Sequence, residues 1–251
     1  VIHFAALKAV GKSVEKPLEY YSNNVDGLLS VVSAMKQTTA DSIIFSSSAT
    51  VYGDPDSLPI TEEAPLKTPT NPYGASKQMC EQILQDSTRA YSLKTALLRY
   101  FNPTGAHPSG LIGESPSGTP NNLVPYVAQV AAGVRESLTI HGNDYGTPDG
   151  SGVRDYIHVV DLAKAHVKAM DYLKEPANPV TVLNIGTGSG VSVLELISAY
   201  EKASGKTIPY TVGPRREGDI ASCYASPALA NKVIGWQSEL TIDDAMRDSW
   251  K

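Results

Sequence analysis

The chain has 251 residues, 41% hydrophobic and 19% charged, which suits one large α/β unit or one domain with a smaller appendage. A net charge of −5 and a pI near 5.5 argue against a nucleic-acid or anionic-membrane partner, and no run approaches the roughly 18 apolar residues that suggest a membrane span. The two cysteines, Cys80 and Cys223, lie far apart without metal-ligand spacing, which points to a reducing compartment.

In chain order, "VIHFAA" is short and apolar and reads as a buried strand already under way. Val14, Leu18, Tyr21, Val25, Leu28, Val32 and Met35 then recur at three- and four-residue steps, which predicts one long amphipathic helix over 12–36. "SIIFSSSATVYG" is a second buried strand, ending in hydroxyls, and residues 54–72, with five prolines, read as an irregular loop. A helix from Tyr73 follows, with Cys80, Ile83 and Leu84 on its apolar side, and then the strand "TALLRYFN". From Pro103 the segment "NPTGAHPSGLIGESPSGTPNN" marks a domain boundary or binding loop. Beyond it come a helix near 122–135, the strand "LTIH", a helix over 159–174 and the strand "TVLNIG". A helix near 192–204, the strand "IPYTV" and two short helical segments complete the chain. Alternating strands and helices predict a parallel sheet with crossover helices. The close, "IDDAMRDSWK", stops inside an amphipathic pattern, so the whole reads as a piece of a longer protein.

Each motif has a plain reading beside a chemical one. "GTGSG" at 186–190 follows a strand and precedes a helix, but its spacing is not G-x-G-x-x-G, and the next strand ends without a ribose-binding acid. It reads as a structural turn. Tyr73 and Lys77, at i and i+4, share a helix face, where a cation stabilises phenolate and turns tyrosine into a usable acid/base. Alone, such a pair is ordinarily a solvated one, and a serine triplet at a strand end is ordinarily a cap. His158 and Asp161 lack a third ligand at a credible spacing and read as capping and packing at a helix start.

A strand ending in hydroxyls, a loop, and then Y-x-x-x-K on a helix resembles the short-chain dehydrogenase/reductase superfamily. "HFAALKAVG", "SSSATVYGD", "NPYGASK", "LRYFNPTGAHPSG", "PNNLVPY", "GVRDYIHVVDLA" and "RREGD" together resemble the UDP-galactose 4-epimerase family, in blocks spread over nearly the whole chain. The resemblance implies a Rossmann-like, doubly wound parallel sheet lacking its first strands, with a smaller α/β substrate-binding domain. Residues 1–102 would be the remaining part of the NAD-binding domain, 103–251 mainly the UDP-sugar domain, and 153–187 would return to the main sheet.

It also implies NAD as a resident cofactor, a UDP-hexose as substrate, and a cytoplasmic homodimer pairing the helices at 12–36 and 73–91. Tyr73 would be the acid/base, Lys77 would tune it and bind the nicotinamide ribose, and Ser48 would bond the sugar 4-oxygen. Phe4, Lys8, Asn23 and Tyr100 resemble further cofactor contacts; Ala6 stands where the family usually has glycine. On the substrate side the resemblance names Ala49, Thr50, Phe101, Asn102, Asn122, Leu123, Arg154, Arg216 and Asp219. His141 stands where relatives carry an aromatic near uracil, and Cys223 lies beside the sugar 2-position, small enough to admit an N-acetyl group. For either arginine alone, a surface ion pair is the plainer reading. Related dehydratases carry Asp-Glu where this chain has Ala49-Thr50, which cannot supply the extra acid/base that water elimination needs. Two other readings stand beside this one: an epimerase of UDP-pentoses or UDP-uronates, and a truncated paralogue that binds UDP-sugars without turnover.

The glycine-rich pyrophosphate loop of such proteins is not among these residues. At about 30 residues or more per βαβ unit, a fingerprint upstream of "VIHFAA" would require roughly 70–80 further residues. Residues 1–251 by themselves are therefore expected to bind NAD poorly and to expose a sheet edge.

Overall fold

A computed structural model describes residues 1–116, 118–216 and 219–251. The first part holds β1 (Ile2–His3), α1 (Val10–Glu15), α2 (Pro17–Tyr21), α3 (Gly27–Met35), β2 (Ser42–Ser48), α4 (Pro72–Tyr91), β3 (Lys94–Tyr100) and β4 (Asn102–Thr104). Then come α5 (Leu123–Ala131), β5 (Leu138–His141), β6 (Val153–Arg154), β7 (Tyr156–His158), α6 (Val159–Tyr172) and β8 (Val180–Ile185). The remainder is β9 (Val191–Ser192), α7 (Val193–Ser204), β10 (Tyr210–Gly213), β11 (Ser222–Cys223), α8 (Ala228–Ile234) and α9 (Ile242–Trp250).

The apolar runs of β2, β3 and β8 lie in one parallel sheet, in the order β1-β2-β3-β8. Side chains alternate across it. Ile43, Phe45 and Leu97 pack with Leu28, Val32 and Met35 of α3 and with Cys80 and Leu84 of α4. Ile44, Ala96 and Leu98 face the other way, against Leu162, Ala165 and Ala169 of α6. A sheet covered on both faces is the doubly wound α/β arrangement that the alternating pattern implies. A separate core joins α5, β5, α7 and α9 through Val127, Ile140, Leu196, Tyr200 and Met246. Within 153–187, β8 adds to β3 of the main sheet, whereas β6 pairs with β9 and β11 in a small sheet.

The single helix expected over 12–36 is broken twice. Pro17 disfavours helical backbone at the residue before it, and Lys16 leaves the helix with φ −134°. A π-turn over Ser22–Asp26 then inserts extra residues into the turn and rotates the inward face. Tyr20 and Asn24 are buried, Tyr21 and Val25 only half-buried, and Val14 and Leu18 are 61% and 82% exposed. The stripe is as the pattern reads it only past the π-turn, at Leu28, Val32 and Met35.

Candidate active site

The start of α4 is locally encoded. Asn71 caps it, its Oδ1 accepting from Gly74 N at 2.9 Å, and Pro72 occupies the first turn, where its missing N–H costs nothing. Tyr73 is thereby placed in the first turn and Lys77 in the second, above the end of β2. Ser48 ends β2 and caps the short 3₁₀ turn Ala49–Tyr52, accepting from Thr50 N at 3.2 Å and from Thr50 Oγ1 at 3.0 Å. The Ser48 hydroxyl lies against the Tyr73 phenol.

The electrostatics differ from the sequence expectation. Burial raises the Tyr73 pKa above its usual value, and the hydrogen bond from Ser48 offsets this only in part. Lys77 does not aim at the phenol. Its Nζ lies 5.9 Å from the Tyr73 ring centre and donates instead to Ser46 O at 2.6 Å, over the Phe45 ring. Lys77 is 3% exposed, and burial lowers its pKa to about 8. Desolvation is thus the largest cause of the shift for both groups.

A cavity of about 730 Å³ opens at the carboxyl ends of β2 and β3, where open α/β sheets bind ligands. Tyr73, Lys77 and Ser48 line it, as do Phe4, Lys8 and Tyr100 of the expected cofactor side. Phe4 packs on His166, ring centres 4.8 Å apart, and the Tyr100 hydroxyl bonds His166 Nε2, forming an aromatic wall. Ala6 also faces the cavity. On the substrate side, Ala49, Thr50, Phe101, Asn102, Asn122 and Leu123 line it, together with Arg154, Asp219 and Cys223. Glu114 reaches across the opening, 3.5 Å from both Lys8 Nζ and Asn122 Nδ2. Arg154 Nη1 donates to Val153 O at 2.8 Å, and its Nη2 lies 3.8 Å from Asp219 Oδ1. Cys223 pairs in register with Arg154 across β11 and β6, and burial pushes its thiol up to about 11, so it stays neutral.

Three expected residues are not in the cavity lining. Asn23 is exposed and donates to Asn24 Oδ1 at 3.0 Å. His141 Nδ1 donates to Pro214 O at 3.2 Å, and Arg216 is exposed. Glu217 and Gly218 of the "RREGD" block lie outside the described residues.

The plain readings of two motifs find physical reasons. In "GTGSG", Thr187 N and Gly188 N donate to the buried Asp155 carboxylate at 2.8 and 3.2 Å, joined by Thr187 Oγ1 and by Ala225 N. A Cβ on Gly186 would lie 2.5 Å from Asp155 Oδ2, so the turn needs glycine there to wrap the carboxylate. His158 caps α6 by accepting from Val160 N at 3.1 Å, and Asp161 accepts from Glu239 N and Leu240 N.

The GDP-mannose 4,6 dehydratase family model matches residues 1–249. The chain is 56% identical to the UDP-glucose 4-epimerase of Homo sapiens over 252 aligned residues, covering all of this chain and 72% of that protein. It is equally similar to the UDP-glucose 4-epimerase of Bacillus subtilis, of which it covers 74%. The crystal structure of the UDP-glucose 4-epimerase from Bifidobacterium longum in complex with NAD+ and UDP superposes with a TM-score of 0.95 at 58% identity, covering 100% of this chain and 74% of that one.

The chain belongs to the UDP-glucose 4-epimerase family.

Within this epimerase scaffold, several residues that sequence reasoning missed hold the site together. Asn24, brought inward by the π-turn, accepts from Leu7 N at 2.7 Å and donates to Leu7 O and to Ser76 Oγ. Ser76 in turn donates to Tyr73 O at 2.8 Å, so the chain beside Phe4 and Lys8 is tied to α4. Glu81 and Arg99 form a buried ion pair beneath the site, at 2.6 Å. A signal for this pair was present: one acid on the apolar face of a helix, between Cys80 and Leu84, and one base inside the apolar strand "LLRYF" each require a partner.

Proposed function

We propose that the natural protein containing this chain carries out the NAD-dependent interconversion of UDP-galactose and UDP-glucose at C4, through a 4-keto sugar. The observation that carries this reading is the convergence of Tyr73, Ser48 and Lys77 in a cavity that Arg154 and Asn122 also line. The identity to epimerases and the likeness to a relative solved with NAD+ and UDP support it.

The residues present fit the nicotinamide half of NAD. Lys77 carries three donors, and among the described residues only Ser46 O accepts from it, which leaves donors for ribose hydroxyls. The aromatic wall of Phe4 and Tyr100 suits a planar ring. When bound, NAD would take the C4 hydride and return it to the opposite face. Tyr73 accepts the proton of the sugar 4-hydroxyl and later restores it, while Ser48 holds the 4-oxygen by a hydrogen bond. A half-buried phenol with a raised pKa is a reluctant base, so its ionisation in the working enzyme relies on positive charge nearby, from Lys77 and the nicotinamide ring. Arg154 and Arg216 would meet the diphosphate with forked donors, and Asn122 the same end of the ligand. The neutral Cys223 would leave room for an N-acetyl group, extending turnover to UDP-N-acetylgalactosamine.

We also infer a homodimer formed through α1–α4. Val14, Leu18, Leu29, Met79 and Tyr91 are exposed apolar side chains on these helices, and their burial would supply the driving force.

The test is direct: incubation with UDP-galactose and NAD, with UDP-glucose measured as product. Tight UDP-sugar binding without interconversion would instead favour a binding protein.

A further inference from the structure

Each serine of the "SSS" triplet at the end of β2 is engaged from a different turn of α4. Tyr73 meets the Ser48 hydroxyl, Lys77 donates to Ser46 O at 2.6 Å, and Glu81 Oε1 accepts from Ser47 Oγ at 2.5 Å. Positions 73, 77 and 81 stand at four-residue steps, so one stripe of the helix reads one strand end. The third contact lies at the floor of the cavity, which Ser47 lines and Glu81 does not. Glu81 and Ser47 are each 1% exposed.

Glu81 is also held by strands beyond β2. Arg99 Nε and Nη2 clamp its two oxygens at 2.9 and 2.6 Å, a bidentate pair. Ser47, Arg99 and Asn184 are register partners across β2, β3 and β8, forming one row across the sheet. Tyr52 closes the row, accepting from Arg99 Nη1 at 2.9 Å and donating to Asn184 Oδ1 at 2.7 Å. Tyr52 belongs to the 3₁₀ turn that Ser48 caps. The row therefore sets both the seat of α4 and the turn after Ser48.

We propose that Glu81 is a positioning residue for the proton transfer: through Ser47 and Arg99 it sets how α4 sits on β2, and so holds the Tyr73 phenol at Ser48 and the Lys77 ammonium at Ser46. The proposal rests on the epimerase reading above. Apolar contacts alone can let a helix slide or tilt on a sheet. A bidentate ion pair with a third, short hydrogen bond permits one depth and one rotation.

The test uses the NAD-loaded enzyme with its natural chain in full. Glu81→Gln is expected to lower kcat on the order of 100-fold, the loss that a misplacement of about 1 Å imposes. KM for UDP-galactose should stay within about twofold, because the substrate contacts are untouched. Glu81→Gln also leaves Arg99 buried without its countercharge and should lower Tm. The double variant Glu81→Leu/Arg99→Met replaces the pair by apolar side chains, and is expected to recover Tm but not kcat. Ser47→Ala, which spares the ion pair, should lower kcat with a smaller loss of Tm than Glu81→Gln, and decides the matter if Glu81→Gln does not fold. Recovery of kcat together with Tm in the double variant would overturn the proposal, as would a wild-type kcat in Ser47→Ala. Absence of turnover in the wild-type enzyme would count against the epimerase reading instead.

Discussion

Lys77→Met should make this protein more stable and catalytically inert. Lys77 is almost fully buried, and its pKa falls from 10.5 to about 8 because burial disfavours the charged form. At about 1.4 kcal/mol per pKa unit, that difference is about 3 kcal/mol of destabilisation carried by the charged lysine in the folded state. The unfolded chain holds the proton more tightly, so stability rises with pH between about 8 and 10.5 and the full penalty applies below that window. Methionine preserves length and helix propensity without a charge. The lost hydrogen bond to Ser46 O gives back roughly 1–2 kcal/mol, so the net gain at pH 7 is about 1–2 kcal/mol. For a chain of this size that corresponds to a Tm increase of roughly 2–8 °C. Calorimetry at pH 7 and pH 10, without added nucleotide, would measure it, and the gain should shrink at the higher pH. Epimerase activity of the same variant should fall by about 100-fold or more, through loss of Tyr73 activation and ribose contacts. A lower Tm at pH 7 would refute the reasoning, since the ammonium–carbonyl bond would then outweigh the desolvation of the charge.

Tyr73→Phe should lower kcat by roughly 10²–10⁴ with little change in KM, measured with UDP-galactose in a coupled assay. Cys223→Tyr should suppress turnover of UDP-N-acetylgalactosamine and spare UDP-galactose; equal loss on both substrates would sink the steric argument. Asp155→Ala strands the Thr187, Gly188 and Ala225 amides, and at about 1–3 kcal/mol for each buried unmet donor should cost roughly 3–9 kcal/mol in denaturant unfolding. A loss below about 1 kcal/mol would mean that water replaces the carboxylate.

Much of the molecule was readable without coordinates because the signals are local. Contiguous apolar runs marked β2, β3 and β8, and the end of the proline-rich loop at 72 marked where α4 starts to within one residue, hence which turns carry Tyr73 and Lys77. Hydroxyls at a strand's carboxyl end placed Ser48 at the mouth of the cavity. Periodicity failed at 12–26, because it assumes a constant 3.6-residue turn and the π-turn breaks that assumption, turning Asn24 inward. What only the tertiary structure decided was where each charge finds its partner. Lys77 turns to a carbonyl on β2 rather than to its neighbour on α4, and Glu81 meets Arg99 only through the pairing of β2, β3 and α4. Spacing along the chain sets which side chains share a face. The strength of a charge pair depends on burial and on competing acceptors, and both are properties of the packed sheet and helix.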